Sequence, residues 1–231
     1  MNCNTNFLLL VNSSNDQLSK ITNNSNQITR QKLINLHTNN ILSAFPKSKI
    51  IIVGDIISID KQSNKKIKYI NMYLDEYSNM GALLKRVNNE IDEKKSLCIM
   101  TYSLMFDIWT LKNLNMKTTS MVSCCNKNFE SKIGCTKEIE TNHIISICYD
   151  IECKLYEMIY LHHKDISKFK EILKMYVRKY MYLFEVINIM IQNNFKIKLH
   201  STKHTAIHLD NTQKFRKAVR LFSKLQGIKV K

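Results

Sequence analysis

Glycine and proline are nearly missing from this chain, which has four and one of them in 231 residues. Ordinary usage is near ~7% and ~5%. A chain this poor in glycine has little material for a glycine-rich phosphate loop, which depends on positive φ and close backbone approach to an anion. Acidic residues are also scarce, 19 against 35 Lys and Arg, leaving a net charge of +16. Long apolar runs are absent. Phe7 to Val11 is five residues, and Val177 to Ile191 is interrupted by Arg178, Lys179 and Glu185. The sequence therefore predicts neither a membrane span nor an export signal. Seven cysteines, an odd number, then predict free thiols in a reducing compartment, the cytoplasm, or the host cytoplasm for a viral source. The Asn-, Lys-, Ile- and Tyr-rich composition has the look of an A/T-rich genome, viral or parasitic, and that bias inflates lysine.

What is present is material for a core. The chain is 44% hydrophobic and 9% aromatic, which excludes overall disorder. Phe7 to Val11, Lys49 to Val53 and Leu97 to Met100 are continuous apolar runs bounded by polar residues, the pattern of strands buried on both faces. Helical spacing follows at Ile28 to Phe45, Asn79 to Glu93 and Phe106 to Leu114. Further strands are expected at Ile67 to Tyr73, Thr118 to Cys124, Ile144 to Cys148, Leu155 to Leu161, Phe195 to Leu199 and Thr205 to Leu209. A long helical region, with a break, is expected from an Asp165 cap to Ile191, and a last helix over Asn211 to Leu225. Strands alternating with helices predict an α/β fold: a mostly parallel central sheet with helices on both faces, in one domain spanning 1–231. Function in such a sheet is expected at the carboxyl ends of the strands. These ends are Asn12 to Asp16, Gly54-Asp55, Thr101 to Asp107 and the surroundings of Asp210.

The order of elements and several short motifs resemble the GT-A-like (Rossmann-like) nucleotidyltransferases, which activate sugar phosphates or phosphocholine with a nucleoside triphosphate. The first strand and loop are similar at Phe7 to Asp16, with Arg30 or Lys32 as the basic residue opening the next helix. Ile50-Ile51-Ile52-Val53-Gly54-Asp55 resembles the second strand and its Gly-Asp. Ser78-Asn79-Met80-Gly81-Ala82 resembles the Asn-x-Gly-Ser segment, and Cys98 to Asp107 the strand that leads to a metal-binding Asp. Glu185-Val186-Ile187-Asn188 and His208-Leu209-Asp210-Asn211-Thr212 resemble the closing helix and the Ile-Asp-Thr segment. The resemblance implies an NTP, a phosphorylated sugar or choline-type acceptor, and Mg²⁺. It implies that Asn12, Ser13, Ser14 and Asn15, with Arg30 or Lys32, hold phosphates. Asn79 and Gly81 would sit near the nucleoside, and Asp107 and Asp210 would hold the metal. Two departures stand out: the loop has no glycine, and Tyr102-Ser103 occupies the place of the family's Gly-Asp. An active enzyme and an inactive relative keeping the fold are thus both expected outcomes.

Plainer readings stand beside these. Asp107 and Asp210 also suit the N-caps of the helices that follow them. Cys124, Cys125, Cys135 and His143 lack the paired spacing of a structural zinc site. His200, His204 and His208 fall in a region read as strand, turn and strand, so their i, i+4 spacing does not align them. From Lys196 onward ten basic residues face the single acid Asp210, more than half of the net charge. Lys214, Lys217, Arg220 and Lys224 form a predicted cationic stripe opposite Phe215, Val219 and Phe222. That stripe is a candidate nucleic-acid contact for a non-catalytic protein of the same fold, or simply a solvated face.

Overall fold

The computed structural model describes residues 5–11, 30–57, 59–61, 63–73, 75, 78–124, 133–151, 153–202, 206–209, 213, 214, 216–218 and 220, with only the backbone of Arg30 and Cys124. The central element is β1 (Thr5–Val11), in which every residue is buried. A strand can be apolar on both faces only if both are covered. β2 (Ile50–Gly54) and β4 (Ser96–Thr101) are equally buried and flank β1 in parallel. β3 (Ile67–Asn71) continues the parallel run beyond β2. On the other side β9 (Leu155–Leu161) pairs antiparallel with β4 and with β6 (Ser120–Cys124), and β10 (Lys198–Thr202) adds to β6 in parallel. The seven-stranded order is β10-β6-β9-β4-β1-β2-β3, so the predicted mostly parallel α/β sheet is present.

Alternation along the strands sorts the core into two layers. Leu8, Leu10, Ile51, Val53, Leu97 and Ile99 belong to one cluster. Phe7, Leu9, Val11, Ile50, Ile52, Cys98 and Met100 belong to the other. The first cluster is covered by α2 (Met80–Val87), α4 (His163–Met175) and α5 (Leu183–Gln192). The second is covered by α1 (Arg30–Ala44) and α3 (Ile108–Lys112), through Leu33, Ile34, Ile41 and Leu111. Among the described residues no helix is long and apolar enough to cross a membrane. Cys98, Cys135, Cys148 and Cys153 are free thiols.

Several boundaries differ from expectation, each for a local reason. α2 ends at Val87 and continues only as the 3₁₀ turn Asn88–Glu90, not to Glu93. α3 starts at Ile108 because Leu104–Phe106 is instead β5, paired antiparallel with β11 (Ala206–His208). α4 starts at His163, not at an Asp165 cap. Asp165 lies in the first turn, where its carboxylate accepts a hydrogen bond from the Thr119 hydroxyl. The break expected in the long helical region is present as the loop between α4 and α5, which docks on the start of α2. There Asn79 N–H donates to Lys179 O at 2.7 Å and Gly81 N–H to Met181 O at 2.8 Å. Phe195 and Ile197 are buried ahead of β10, which begins at Lys198. An unexpected strand, β7 (Ile133–Lys137), forms a hairpin with β8 (Ile144–Tyr149).

Two glycines are required by the packing. Gly54 has φ +142°, and a Cβ there would lie 1.8 Å from Val11 O. A Cβ on Gly81 would lie 2.0 Å from Arg178 O. Both positions leave no room for a side chain, so β1 meets β2, and α2 meets the α4–α5 loop, through bare backbone.

Candidate functional site

β1, β2 and β4 end together at Val11, Gly54 and Thr101. Beyond β4 the chain turns at Tyr102-Ser103. Three sets of backbone hydrogen bonds fix that turn: Tyr102 N–H to Leu10 O at 3.0 Å, Leu209 N–H to Ser103 O at 2.8 Å, and the paired ladder of β5 and β11 that follows. The turn is held from below by α1. His37 is buried and its Nε2 lies 2.8 Å from Tyr102 O, while its ring stacks on Phe106 with centroids 5.1 Å apart. Nε2 must carry the proton to donate to a carbonyl, so the ring is held in one tautomer. His37 Nδ1 is buried without a hydrogen-bond partner among the described residues. Burial lowers the His37 pKa to about 4, against the opposing effect of the Tyr102 bond, so the ring is neutral at physiological pH.

The polar centre at this end of the sheet joins His208, which opens the His208-Leu209-Asp210-Asn211-Thr212 segment, to Glu157, which none of the sequence motifs contains. Glu157 lies on β9 one residue beyond the Met100–Met158 pairing, opposite Thr101. Its Oε2 accepts hydrogen bonds from His208 Nε2 at 2.8 Å and Thr101 Oγ1 at 3.1 Å. Ser103 Oγ lies 3.2 Å from the same His208 nitrogen. The Glu157 side chain is 23% exposed and that of His208 26%. Burial pushes the Glu157 pKa up, but the charge and hydrogen bond of His208 and the bond from Thr101 outweigh it. The carboxyl is held below its usual range and is ionised at neutral pH. A signal for it exists in the sequence: Glu157 is the single charged residue of Leu155–Leu161, an otherwise buried apolar strand apart from its tyrosines. A charge at such a position is costly unless it is paired.

The predicted residues are only partly brought to this centre. Asn12, Ser13, Ser14, Asn15 and Asp210 lie outside the described residues, as does Lys224. Asn12 and Asp210 directly follow Val11 and Leu209, both described and both buried at this end. Arg30 opens α1, and Lys32 is exposed on its first turn. Asn79 is buried and caps α2, its Oδ1 accepting from Met80 N–H at 2.9 Å. Gly81 follows in the first turn of α2, against the α4–α5 loop. Asp107 caps α3, its Oδ1 accepting from Trp109 N–H at 3.0 Å. The cationic stripe does not lie on one exposed face: Lys217 and Arg220 are exposed, but Lys214 is buried, one turn before the buried Ala218.

A divalent cation is the cofactor that the resemblance implies. Among the described residues no three His, Cys, Asp or Glu side chains gather to hold one. The Glu157 carboxylate, the His208 imidazole and the Ser103 hydroxyl are instead hydrogen-bonded to one another. A cavity of about 450 Å³ lies elsewhere, after α1 and α3, lined by Ala44, Phe45, Lys112, Leu114, Asn115, Met116 and Lys117.

No family model matches this sequence, and no curated protein does. Solved structures do match it in fold. The inositol-1-phosphate CTP transferase from T. maritima is similar with a TM-score of 0.74 at 11% identity, over 100% of this chain and 99% of that one. A UDP-glucose pyrophosphorylase complexed with UDP-glucose gives 0.69 at 10% identity, over 96% and 99%. The CTP:phosphocholine cytidylyltransferase from Streptococcus pneumoniae gives 0.67 at 11% identity, over 95% and 99%. At this identity the likeness is one of fold: the chain has the nucleotidyltransferase fold from end to end.

Proposed function

We propose that this chain is a nucleotidyltransferase that binds a nucleoside triphosphate and transfers its NMP to a phosphorylated small molecule, a sugar phosphate or phosphocholine. The observation that carries this reading is the full-length fold likeness to enzymes whose names state that chemistry. A half-buried carboxylate–imidazole pair at the carboxyl ends of the strands supports it, since that is where ligands enter such sheets. In the reaction an acceptor phosphate oxygen bonds to the α-phosphorus, the bond to the β-phosphate oxygen breaks, and pyrophosphate leaves.

The residues divide the work by position. Asn12, Ser13, Ser14 and Asn15, which follow β1, are proposed to hold the phosphates together with Arg30 or Lys32. Polar side chains replace the usual glycines there, at a cost in close backbone approach. Asn79 and Gly81 are proposed to border the nucleoside. Mg²⁺ is the proposed cofactor, with Asp107 and Asp210 the carboxylates assigned to it by the resemblance. When bound, such a cation neutralises the charge that builds on the transferred phosphoryl oxygens. His37 keeps the Tyr102-Ser103 turn in place by holding Tyr102 O. The free thiols suit a cytoplasmic enzyme.

Thermal unfolding with a panel of NTPs, each with and without Mg²⁺, tests this reading. One nucleotide should raise the Tm in a concentration-dependent way, because a ligand that binds the native state stabilises it. No shift with any NTP at millimolar concentration would sink the proposal.

A further inference from the structure

The two helices on the second face of the sheet stop short of each other. α1 ends at Ala44, ahead of Pro46, and α3 has only five residues, ending at Lys112. Between their ends lies the cavity of about 450 Å³ bounded by Ala44, Phe45 and the segment that follows α3. Phe45 packs on Phe7 with ring centroids 5.2 Å apart, and Tyr160 OH donates to Met116 O at 3.2 Å. Phe7, Cys98, Tyr160 and Ser120 form one row across the sheet. That row is four residues of β1 before Val11, about 13 Å from the strand ends described above. We infer that this cavity is a second binding site, for a free amphipathic carboxylate: a small molecule of the fatty-acid class, with one anionic head on an unbranched apolar body. The site is remote from the proposed NTP site and does not depend on nucleotidyl transfer.

Three observations carry it. The first is the floor. Ala44, Phe45, Leu114 and Met116 line the cavity and pack into the second core cluster. The floor is thus a continuation of the core, and an apolar body laid on it leaves water for a hydrocarbon surface. The second is the rim. Lys112 and Lys117 are exposed, and among the described residues neither makes an ion pair. Lys112 Nζ instead lies 4.6 Å from the centroid of the Trp109 ring. None of the lining residues is acidic. Next to Phe45, Lys66 Nζ donates to Pro46 O at 2.7 Å, so a further cation stands at this corner. Such a one-signed field draws anions to the mouth. The third is fixation. The wall formed by Leu114 to Lys117 is tied down from beneath: Tyr160 OH holds Met116 O, Ser120 Oγ donates to Asn115 O at 3.1 Å, and Lys117 N–H donates to Asn115 Oδ1 at 3.1 Å. The wall therefore stands without a ligand, and binding needs little ordering.

The lining decides the ligand. A cationic or neutral amphiphile gains nothing from the two lysines. A nucleoside triphosphate brings several charges that an apolar floor would have to desolvate. One charge at the rim and hydrocarbon below match both parts of the site. Lysine is a point charge without the planar fork of arginine, so it accepts a carboxylate as readily as a phosphate. The volume is near the small end of the ~300–1,000 Å³ of small-molecule sites, which suits a single chain rather than a two-chain lipid.

The test titrates the whole chain, labelled with ¹³C at its methionine methyls, with sodium decanoate below its micelle concentration and without nucleotide. One decanoate per chain is expected by calorimetry. The Met116 methyl signal, assigned with Met116→Leu, should move, while that of Met181 on the opposite face stays still. Octanoate should bind about tenfold more weakly, because two buried methylenes are lost. Decyltrimethylammonium, with the same chain and the opposite charge, should not bind. Lys112→Ala with Lys117→Ala should weaken decanoate by about tenfold and make its affinity less sensitive to salt, without lowering the Tm, since both side chains are exposed. A still Met116 methyl at millimolar decanoate, equal binding of decyltrimethylammonium, or an affinity indifferent to the double variant overturns the proposal. Cosedimentation with phosphatidylglycerol vesicles in the absence of any decanoate shift overturns it in favour of a lipid surface. The NTP-dependent Tm shift should be the same in the double variant as in the wild type, so the two readings stand or fall separately.

Discussion

His37 makes the acid stability of the protein calculable. It is buried, stacked on Phe106 and bonded through Nε2 to Tyr102 O, and its pKa is lowered from 6.5 to about 4 by burial. In the unfolded chain its pKa is that of an ordinary histidine, ~6.5. Between these values the unfolded state binds one proton that the native state refuses. Stability therefore falls as pH drops from ~6.5 to about 4, and the contribution is fully present above ~6.5. A gap of about 2.5 units at ~1.36 kcal/mol each gives about 3 kcal/mol, a large share of the ~5–15 kcal/mol of a typical domain. The assay is urea unfolding in EDTA at intervals from pH 7 to pH 4, for the wild type and for His37→Gln. The Gln amide can still donate to Tyr102 O but does not titrate. Wild-type stability minus that of His37→Gln should shrink by about 3 kcal/mol across this window, with the m-value unchanged. A difference that stays constant to within ~0.5 kcal/mol would show that His37 is protonated in place or reaches solvent, and would refute the reasoning.

Other outcomes follow from single contacts. Gly54→Ala and Gly81→Ala should each destabilise by about 2–4 kcal/mol in chemical denaturation, since their Cβ atoms would meet Val11 O at 1.8 Å and Arg178 O at 2.0 Å. Asp107→Ala should cost about 1 kcal/mol of stability through the lost α3 cap; a collapse of Mg²⁺-dependent nucleotide binding beyond that would assign Asp107 to the metal instead. Cys148 is exposed and should react readily with a thiol reagent in the native state. The buried Cys98 and Cys135, whose thiols burial pushes up (Cys135 to about 12), should react only on unfolding.

Much of the frame is legible in the chain. β1, β2, β4 and β9 announce themselves as apolar runs because both of their faces are covered. Helical spacing marks α1, α2, α4 and α5 for the opposite reason, since each has one face on the sheet. Less legible are β5, β7 and the position of the expected break between α4 and α5. β5 exists only because β11 returns beside it, and the α4–α5 loop stays unwound because its carbonyls are taken by Asn79 and Gly81. Neither partner is near in sequence, so no local pattern can encode the contact.

The site divides along the same line. The scarcity of glycine, the Ser103 departure and the strand-end location of function are properties of the sequence. Taken alone, they imply that a carboxylate is missing from this end of the sheet. Only the tertiary structure decided otherwise. Antiparallel pairing of β9 with β4 sets Glu157 opposite Thr101, and the β5–β11 ladder carries His208 to within 2.8 Å of it. Charge at a site is set by which strands are neighbours in space, and strand order is fixed by packing of the whole core. A motif scan along the chain therefore sees an aspartate lost, while the folded sheet holds a glutamate in its vicinity.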